Sequence, residues 1–337
     1  MLLMTPDRLT IKTGGARYFR RGSFLSSLFT RLAQAVLAML GASVLIWALL
    51  PLAGGDTATR VLQARGVENP RAVEIEATRQ ELNLDEVLIS QYFTWLGRAA
   101  RGDLSISYQS GKPVLQEIGA RLPATVLLAI VALVFAVALS LLGAIVSAAF
   151  YEKLPDRAIQ FLTQAGAAMP SFLLGLLVLQ FVVVAFGFGN VISSSSLSDV
   201  WLPAICLATG RASEWTQILR ASLLEALNAR FTLVATARGA SRWRILLRYA
   251  LPNALLPFLT VVGIGVGGLL GGAAIVETVF SWNGIGSYAV SAIAARDLPV
   301  VQGFVILATL IYIGASLAVD LTGAYVDPRL RDSKAFG

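Results

Sequence analysis

Six long apolar runs constrain the fold of this chain more than any other feature of its sequence. They occupy about residues 32–52, 122–150, 159–186, 200–222, 253–277 and 301–326. A bilayer core of ~30 Å requires about 20 apolar residues of helix, and a helix satisfies its own backbone hydrogen bonds in lipid. With 56% hydrophobic and 14% charged residues and a mean hydropathy of +0.71, the chain lies outside the range of soluble domains. We predict an all-α integral membrane protein with six transmembrane helices.

The first and fourth runs differ from the others. The first is longer than the ~7–15 apolar residues of a signal-peptide core, so it is predicted to remain as a transmembrane helix after a basic tail at residues 1–31. The fourth is the weakest of the six, because Arg211, Glu214 and Gln217 interrupt it. Hydropathy alone would reject it, but the neighbouring runs require a crossing there.

Basic residues in the short connections set the predicted orientation. Lys and Arg occur in the N-terminal tail, between the second and third runs, at 220–248 and in the tail 327–337, whereas 187–199 has none. Because basic loops are retained in the cytoplasm, both termini are predicted to be cytoplasmic. The long stretch 54–121 has mixed charge and is predicted to be an extracytoplasmic, mainly helical subdomain. A five-helix core at 122–326 follows it.

The connection between the fourth and fifth runs is rich in arginine. It extends from Arg230 to Pro252 and has Gly239 near its centre. Glycine adopts positive φ at no steric cost, which predicts two short helices joined by a sharp turn and presented to a soluble partner. The alternative is a basic interfacial helix on anionic lipid, since the arginines include i,i+4 pairs.

The residues around this glycine resemble a known motif. Ala235-Thr236-Ala237-Arg238-Gly239, followed after nine residues by Tyr249-Ala250-Leu251-Pro252, is similar to the cytoplasmic coupling loop of binding-protein-dependent ABC importer permeases. The resemblance implies that this loop, here 223–252, seats in a groove of an ATPase subunit. It assigns the coupling role to Ala235, Thr236, Ala237, Arg238, Gly239, Leu251 and Pro252. Leu233 stands where many relatives have an acidic residue.

Further motifs extend the resemblance over about residues 31–331. They are Arg101-Gly102-Asp103-Leu104, Arg121-Leu122-Pro123-Ala124-Thr125, the stretches Glu277 to Gly286 and Ala295 to Gln302, Val319-Asp320-Leu321 and Asp327-Pro328-Arg329. Together they resemble the dipeptide/oligopeptide/nickel permease family. The resemblance implies a subunit of the bacterial inner membrane that works with a second homologous permease, two ATPase subunits that bind ATP and Mg, and an extracytoplasmic solute-binding protein.

The substrate class is less constrained than the family. The stretch 77–85, followed by Gln91-Tyr92 and Trp95-Leu96, is somewhat more similar to nickel and metal-chelate permeases than to peptide permeases. This similarity favours a metal chelate over a di- or oligopeptide as the substrate. Because the chain has no histidine and a single cysteine, no metal site is predicted within it.

Charged and glycine residues inside the apolar runs are the candidates for a translocation path. The two charges on the fourth run are spaced i,i+3 and are predicted to pair and face this path, because charges are costly in a membrane. Plain charge compensation is the alternative. Three glycines of the fifth run recur every fourth residue, which suits close helix approach, either between moving permease halves or inside one subunit. The candidate set is Arg211, Glu214, Gly263, Gly267, Gly271 and Glu277.

Missing motifs exclude several functions. No Gly-x-x-x-x-Gly-Lys-[Ser/Thr] loop occurs, since Gly111-Lys112 is followed by Pro113, so the usual cradle for ATP phosphates is absent. The lack of histidine excludes a Ser-His-Asp triad. The chain is therefore predicted to be a transport subunit without a cofactor of its own, with an ion channel as the remote alternative. Membrane lipid is a predicted partner and nucleic acid is not, because the basic residues cluster between apolar runs.

Overall fold

A computed structural model of the protein describes residues 33–34, 36–48, 56–82, 84–188 and 195–326. These residues form helices, with a single isolated β-bridge between Ile106 and Pro113, and the all-α prediction is confirmed. The predicted tails 1–31 and 327–337 lie outside the described residues. In chain order the helices are α1 Val36–Ala48, α2 Thr57–Ala64, α3 Ala72–Glu81, α4 Leu88–Ala99, α5 Val114–Ala149, α6 Leu154–Ala168, α7 Ser171–Val178, α8 Trp201–Leu227, α9 Arg230–Ala237, α10 Arg242–Arg244, α11 Leu251–Val279, α12 Ile285–Ala295 and α13 Leu298–Val326, with π-helical segments at Leu179–Ala185 and Ile245–Ala250.

The predicted extracytoplasmic subdomain contains the short helices α2, α3 and α4. Asp56 caps α2 by accepting a hydrogen bond from the Thr59 backbone N–H (3.0 Å), and it also accepts one from Arg79 of α3 (2.9 Å). α4 lies against α1, where the hydroxyl groups of Ser43 and Tyr92 are 2.9 Å apart and hydrogen-bonded. The subdomain of α2, α3 and α4 is thus joined to the first apolar helix through α4.

α5 is the longest helix, with 36 residues. It begins at Val114, ahead of the predicted start at residue 122, and continues through Pro123. At 1.5 Å per residue its length is about 54 Å, which exceeds the ~30 Å of a bilayer core. α5 is therefore longer than one crossing requires, and its charged residues Glu117 and Arg121 lie in the first turns.

The third apolar run, predicted as one crossing over 159–186, is not one continuous helix. It is divided into α6 and α7, whose axes differ by 105°. The break lies at Met169 and Pro170, both in extended backbone conformations. The proline ring disfavours helical geometry at the residue before it and removes one N–H donor, which explains why the helix stops there and starts again in a new direction.

α8 is the central helix of the core and packs against α5, α6, α7 and α11. Its Trp215 side chain is fully buried and lies against Gly265 of α11, where a Cβ would come within 2.4 Å of the indole ring. Arg211 and Glu214, which weaken the hydropathy of this run, lie on α8 with their side chains 35% and 49% exposed.

Among the described residues, two helical stretches are long and apolar enough to cross a membrane by themselves, Val114–Ala149 and Arg242–Val279. The bent pair of α6 and α7 adds a third if it is counted as one span. The remaining apolar runs correspond to α1, α8 and α13. Val36–Ala48 and the Leu298–Gly314 part of α13 are shorter apolar helices, and α8 is long enough but less apolar. Where the structure describes them, the six runs are helical apart from the break at Met169 and Pro170, and the count of six crossings remains a prediction.

Candidate coupling surface and membrane cavity

The basic connection folds as two helical pieces around Gly239. α9 ends in a Schellman motif, in which the Ala240 N–H donates to the Ala235 carbonyl (3.1 Å) and the Gly239 N–H donates to the Thr236 carbonyl (2.9 Å). Gly239 has a φ of +79°, in the left-handed region that favours glycine. After the turn, α10 and the π-helix Ile245–Ala250 continue directly into α11. The direction in which the chain leaves α9 therefore depends on this glycine.

The predicted coupling residues lie on one continuous segment but not on one surface. Thr236, Ala237 and Arg238 are exposed at the end of α9, whereas Ala235 is buried beneath them. Leu251 and Pro252 begin α11. α10 and the π-helix separate them from the Gly239 turn.

The outer face of this helix–turn–helix combines apolar and basic side chains. Leu233 and Trp243 are 65% and 52% exposed. The segment Arg230–Pro252 contains five arginines and no acidic residue, and none of these arginines pairs with a carboxylate among the described residues. Such a face complements an apolar groove with an acidic rim, and it is equally compatible with anionic lipid.

A buried ion pair stands at the end of α8 that leads into the coupling segment. The Asp156 carboxylate accepts hydrogen bonds from Nε and Nη2 of Arg220, both at 2.8 Å. It also accepts from the Ser147 hydroxyl and from the Glu152 N–H. The Asp156 side chain is 1% exposed and that of Arg220 18%. These bonds join α5, α6 and α8, and sequence reasoning did not predict them because the partners are far apart in the chain.

A cavity of about 280 Å³ lies between the α6–α7 break, α8 and α11. Both charges predicted for the translocation path line it, and Nη1 of Arg211 donates to Oε2 of Glu214 at 2.9 Å. The i,i+3 pair inferred from the sequence is therefore formed. Nη2 of Arg211 lies 1.8 Å from the position that a Cβ on Gly268 would take, so the guanidinium rests directly against the backbone of α11.

The predicted glycine row of α11 does not line this cavity. A Cβ on Gly267 would lie 2.9 Å from a tyrosine ring of α13, which indicates packing inside the subunit. Gly271 is exposed with no atom within 4 Å of its Cβ position, and Gly263 is half-buried. The glycines at the cavity wall are their neighbours Gly268 and Gly272, because the bend of the third run places the cavity against the adjacent face of α11.

Glu277 is also outside the cavity. Its fully buried carboxylate accepts hydrogen bonds from the Thr125 hydroxyl (2.6 Å) and the Ser287 N–H (2.9 Å). The Thr125 oxygen accepts in turn from the Ile285 N–H (2.9 Å). A Cβ on Gly284 would lie 2.3 Å from the carboxylate. The structure therefore places Glu277 in a polar junction of α5, α11 and the start of α12, and its role on the translocation path stays a prediction.

A second polar junction, which the sequence also did not predict, joins the loop before α5 to the turn between α12 and α13. Asp297 is buried and accepts hydrogen bonds from the Ser107 hydroxyl (2.5 Å) and from the N–H groups of Tyr108 (3.1 Å) and Gln109 (3.2 Å). Burial, together with the nearby Asp297 carboxylate, raises the pKa of Tyr108 to about 12. The hydrogen bonds of the motif residue Asp297 hold the loop before α5 against the turn between α12 and α13.

The helical core and the basic helix–turn–helix are the arrangement expected of a membrane permease of the ABC importer class. Residues 140–332 match the family described as "Binding-protein-dependent transport system inner membrane component". This match covers more than half of the chain, and the chain belongs to that family.

Individual relatives narrow the assignment of the chain within this family. The chain is 33% identical over 289 residues to the glutathione transport system permease protein GsiC of Escherichia coli O6:H1, a match that covers 86% of this chain and 93% of that protein. GsiC of Shigella dysenteriae serotype 1 is 33% identical and GsiC of Shigella boydii serotype 4 is 32% identical, with the same coverage. The resemblance inferred from the motifs is confirmed: the chain is an inner-membrane ABC importer permease of the dipeptide/oligopeptide/nickel family.

Two solved structures share the fold at 16% sequence identity. An inward-facing MetNI methionine ABC transporter has a TM-score of 0.54 and covers 63% of this chain and 97% of the other. An amino acid ABC transporter has a TM-score of 0.52, with coverages of 62% and 94%. In this family the permease is a helical, multi-pass transport component, and the ATPase is a separate subunit.

Proposed function

We propose that this chain is the permease subunit of an importer for small peptides. The observation that carries the proposal is its 33% identity, over 86% of its length, with a glutathione transport permease, since glutathione is itself a small peptide. The stretch 77–85 favoured a metal chelate, and the comparisons support the peptide alternative better. The proposed substrate is accordingly a peptide.

The proposed complex contains four kinds of subunit. This chain and a second homologous permease enclose the path, two ATPase subunits bind ATP and Mg, and an extracytoplasmic solute-binding protein delivers the peptide. The family's working assembly of permeases, ATPases and binding protein supports this set.

The basic helix–turn–helix is the proposed contact with the ATPase. Its exposed Leu233 and Trp243 would enter an apolar groove, and its unpaired arginines would meet acidic groups at the rim. Leu233 replaces the acidic residue of many relatives, so apolar contact takes the place of a salt bridge at that position. Because the segment continues into α11, a displacement of the ATPase would reach a membrane helix directly.

Both termini and the coupling segment are proposed to face the cytoplasm. This orientation predicts that, in a Cys206→Ser background, a cysteine at the exposed Ser198 reacts with an impermeant maleimide added to whole spheroplasts. A cysteine at the exposed Ser241 should react only after the membrane is permeabilised. Labelling is read by the mass shift of the purified chain. The reverse pattern would overturn both the orientation and the ATPase contact.

A transport assay tests the substrate class. Proteoliposomes that contain both permeases, the ATPases and the binding protein should take up radiolabelled glutathione only when ATP is supplied to the ATPase side. Radiolabelled nickel with a chelator is the competing substrate. Chelator-dependent nickel uptake without glutathione uptake would restore the metal-chelate alternative. Flux through the lone chain without ATP would support the ion channel instead.

A further inference from the structure

The cavity beside the α6–α7 break is lined by both polar and apolar residues. Its polar residues are Arg211, Glu214, Ser171 and Thr209. The other side chains at the wall are mostly apolar and include Met169, Leu174, Leu207 and Leu269. Polar groups beside apolar side chains suit a site for a small polar molecule, and a volume near ~300 Å³ is the lower end of the usual range.

The two charged side chains retain unused hydrogen-bonding capacity. Their one mutual contact joins Nη1 of Arg211 to Oε2 of Glu214. A guanidinium has five N–H donors and a carboxylate has about four acceptor sites. The side chains are 35% and 49% exposed, and among the described residues they are the only charged groups that line the cavity. Donors and acceptors therefore remain free for a ligand.

Gly268 determines where the positive charge lies. Because a Cβ at this position would overlap Nη2 of Arg211, only glycine allows the guanidinium to lie between α8 and α11. The arginine is thus held at the cavity wall by the shape of α11 as well as by Glu214. Gly119, at an exposed position of α5 with no atom within 4 Å of its Cβ position, offers a comparison without this contact.

We infer that this cavity is a transit site for the zwitterionic end of a small peptide, with Arg211 binding the carboxylate and Glu214 the ammonium group. The inference rests on the proposed peptide function. Opposite charges 2.9 Å apart on one helix turn match a ligand that carries both charges on one carbon, as the γ-glutamyl end of glutathione does. A simple cation or anion would satisfy only one of them. The mutual ion pair competes with the ligand, so binding is weak and release remains possible.

Binding to the assembled complex tests the ligand chemistry. Nanodiscs with both permeases and the ATPases, but without the binding protein, are titrated with radiolabelled glutathione and with N-acetylglutathione, which lacks the ammonium group. The wild-type complex should bind glutathione about tenfold more tightly than the acetylated form, the loss expected for one charge-assisted hydrogen bond. Glu214→Gln should bind both forms alike, because its amide does not pair with an ammonium group as a carboxylate does.

Two glycine variants separate ligand binding from a purely structural ion pair. Gly268→Ala keeps both charges but displaces the guanidinium, and it should weaken glutathione binding about tenfold. Gly119→Ala should bind glutathione as the wild type does. Size-exclusion chromatography checks the assembly of each variant. If Gly268→Ala does not assemble, the preference of Glu214→Gln between glutathione and N-acetylglutathione tests the transit site by itself.

The outcomes distinguish this inference from the proposed function. A wild-type complex that imports glutathione in proteoliposomes, but shows no detectable binding or no preference over the acetylated form, overturns the transit site alone. The same holds if Glu214→Gln keeps the wild-type preference. A wild-type complex that does not import glutathione overturns both.

Discussion

Replacing Gly239 with valine is expected to reduce ATP-driven uptake to background in a complex that still assembles. A β-branched residue is strongly disfavoured at the φ of +79° found there. The left-handed conformation costs an L-residue about 1–2 kcal/mol, which is too little to unfold the chain. The strain is relieved if the turn changes, and the Schellman bonds of Gly239 and Ala240 to α9 are then lost. α10 and the π-helix would leave α9 in a different direction.

Uptake and binding-protein-stimulated ATP hydrolysis are measured on the same reconstituted preparations. We expect hydrolysis that no longer depends on the binding protein, or no hydrolysis, together with the loss of uptake. Gly66→Val is the matched control, because Gly66 also has positive φ and open space around its Cβ position. Gly66 follows α2 in the predicted extracytoplasmic subdomain, away from the coupling segment. Gly239→Asn should retain much of the uptake, since asparagine tolerates the left-handed region. Normal uptake by Gly239→Val would remove the coupling role from this turn.

Removing the Asp156 carboxylate is expected to lower the free energy of unfolding by about 3 kcal/mol, because breaking a buried ion pair leaves one charge uncompensated. Arg220, partly exposed, would lose its bidentate partner, and the Glu152 N–H and the Ser147 hydroxyl would lose an acceptor. The effect of Asp156→Ala is measured as the thermal midpoint of the purified chain in detergent, followed by size-exclusion chromatography after heating.

Two further variants show whether the loss arises from the buried pair. Arg65→Ala removes a partner of the exposed pair between Arg65 and Glu81, which should change stability by only about 0–1 kcal/mol. Asp156→Ala combined with Arg220→Met should be less destabilised than Asp156→Ala, because the double variant contains no orphaned charge. Equal midpoints for Asp156→Ala and Arg65→Ala would contradict the assignment of a stabilising role to this pair.

Local features of the chain were predictable from the sequence. The turn at Gly239 is an example, because its Schellman bonds join residues no more than five positions apart and its conformation favours one residue type. The pair between Arg211 and Glu214 is another, because an i,i+3 spacing places two side chains on one helix face. The helices of the apolar runs follow from hydropathy and backbone hydrogen bonding alone.

The bend in the third apolar run was only partly predictable from the sequence. Pro170 is a local signal for a break, but hydropathy averaged over the run does not respond to a single residue. The sequence therefore predicted one crossing, whereas the structure has two helices at 105° to each other. The angle depends on how α7 packs against α8 and α11, and the cavity beside the bend is lined by Gly268 and Gly272 of α11.

By itself, the sequence determined that the chain is helical and apolar, where its basic segment turns and which two charges pair. Only the tertiary structure decided which polar groups are buried together. Thr125 meets Glu277 across 152 positions, and Ser107 meets Asp297 across 190. Such contacts exist only after the helices have packed, because a buried polar group takes its partner from whichever element the fold brings within hydrogen-bonding distance. Helical periodicity carries no information about that partner.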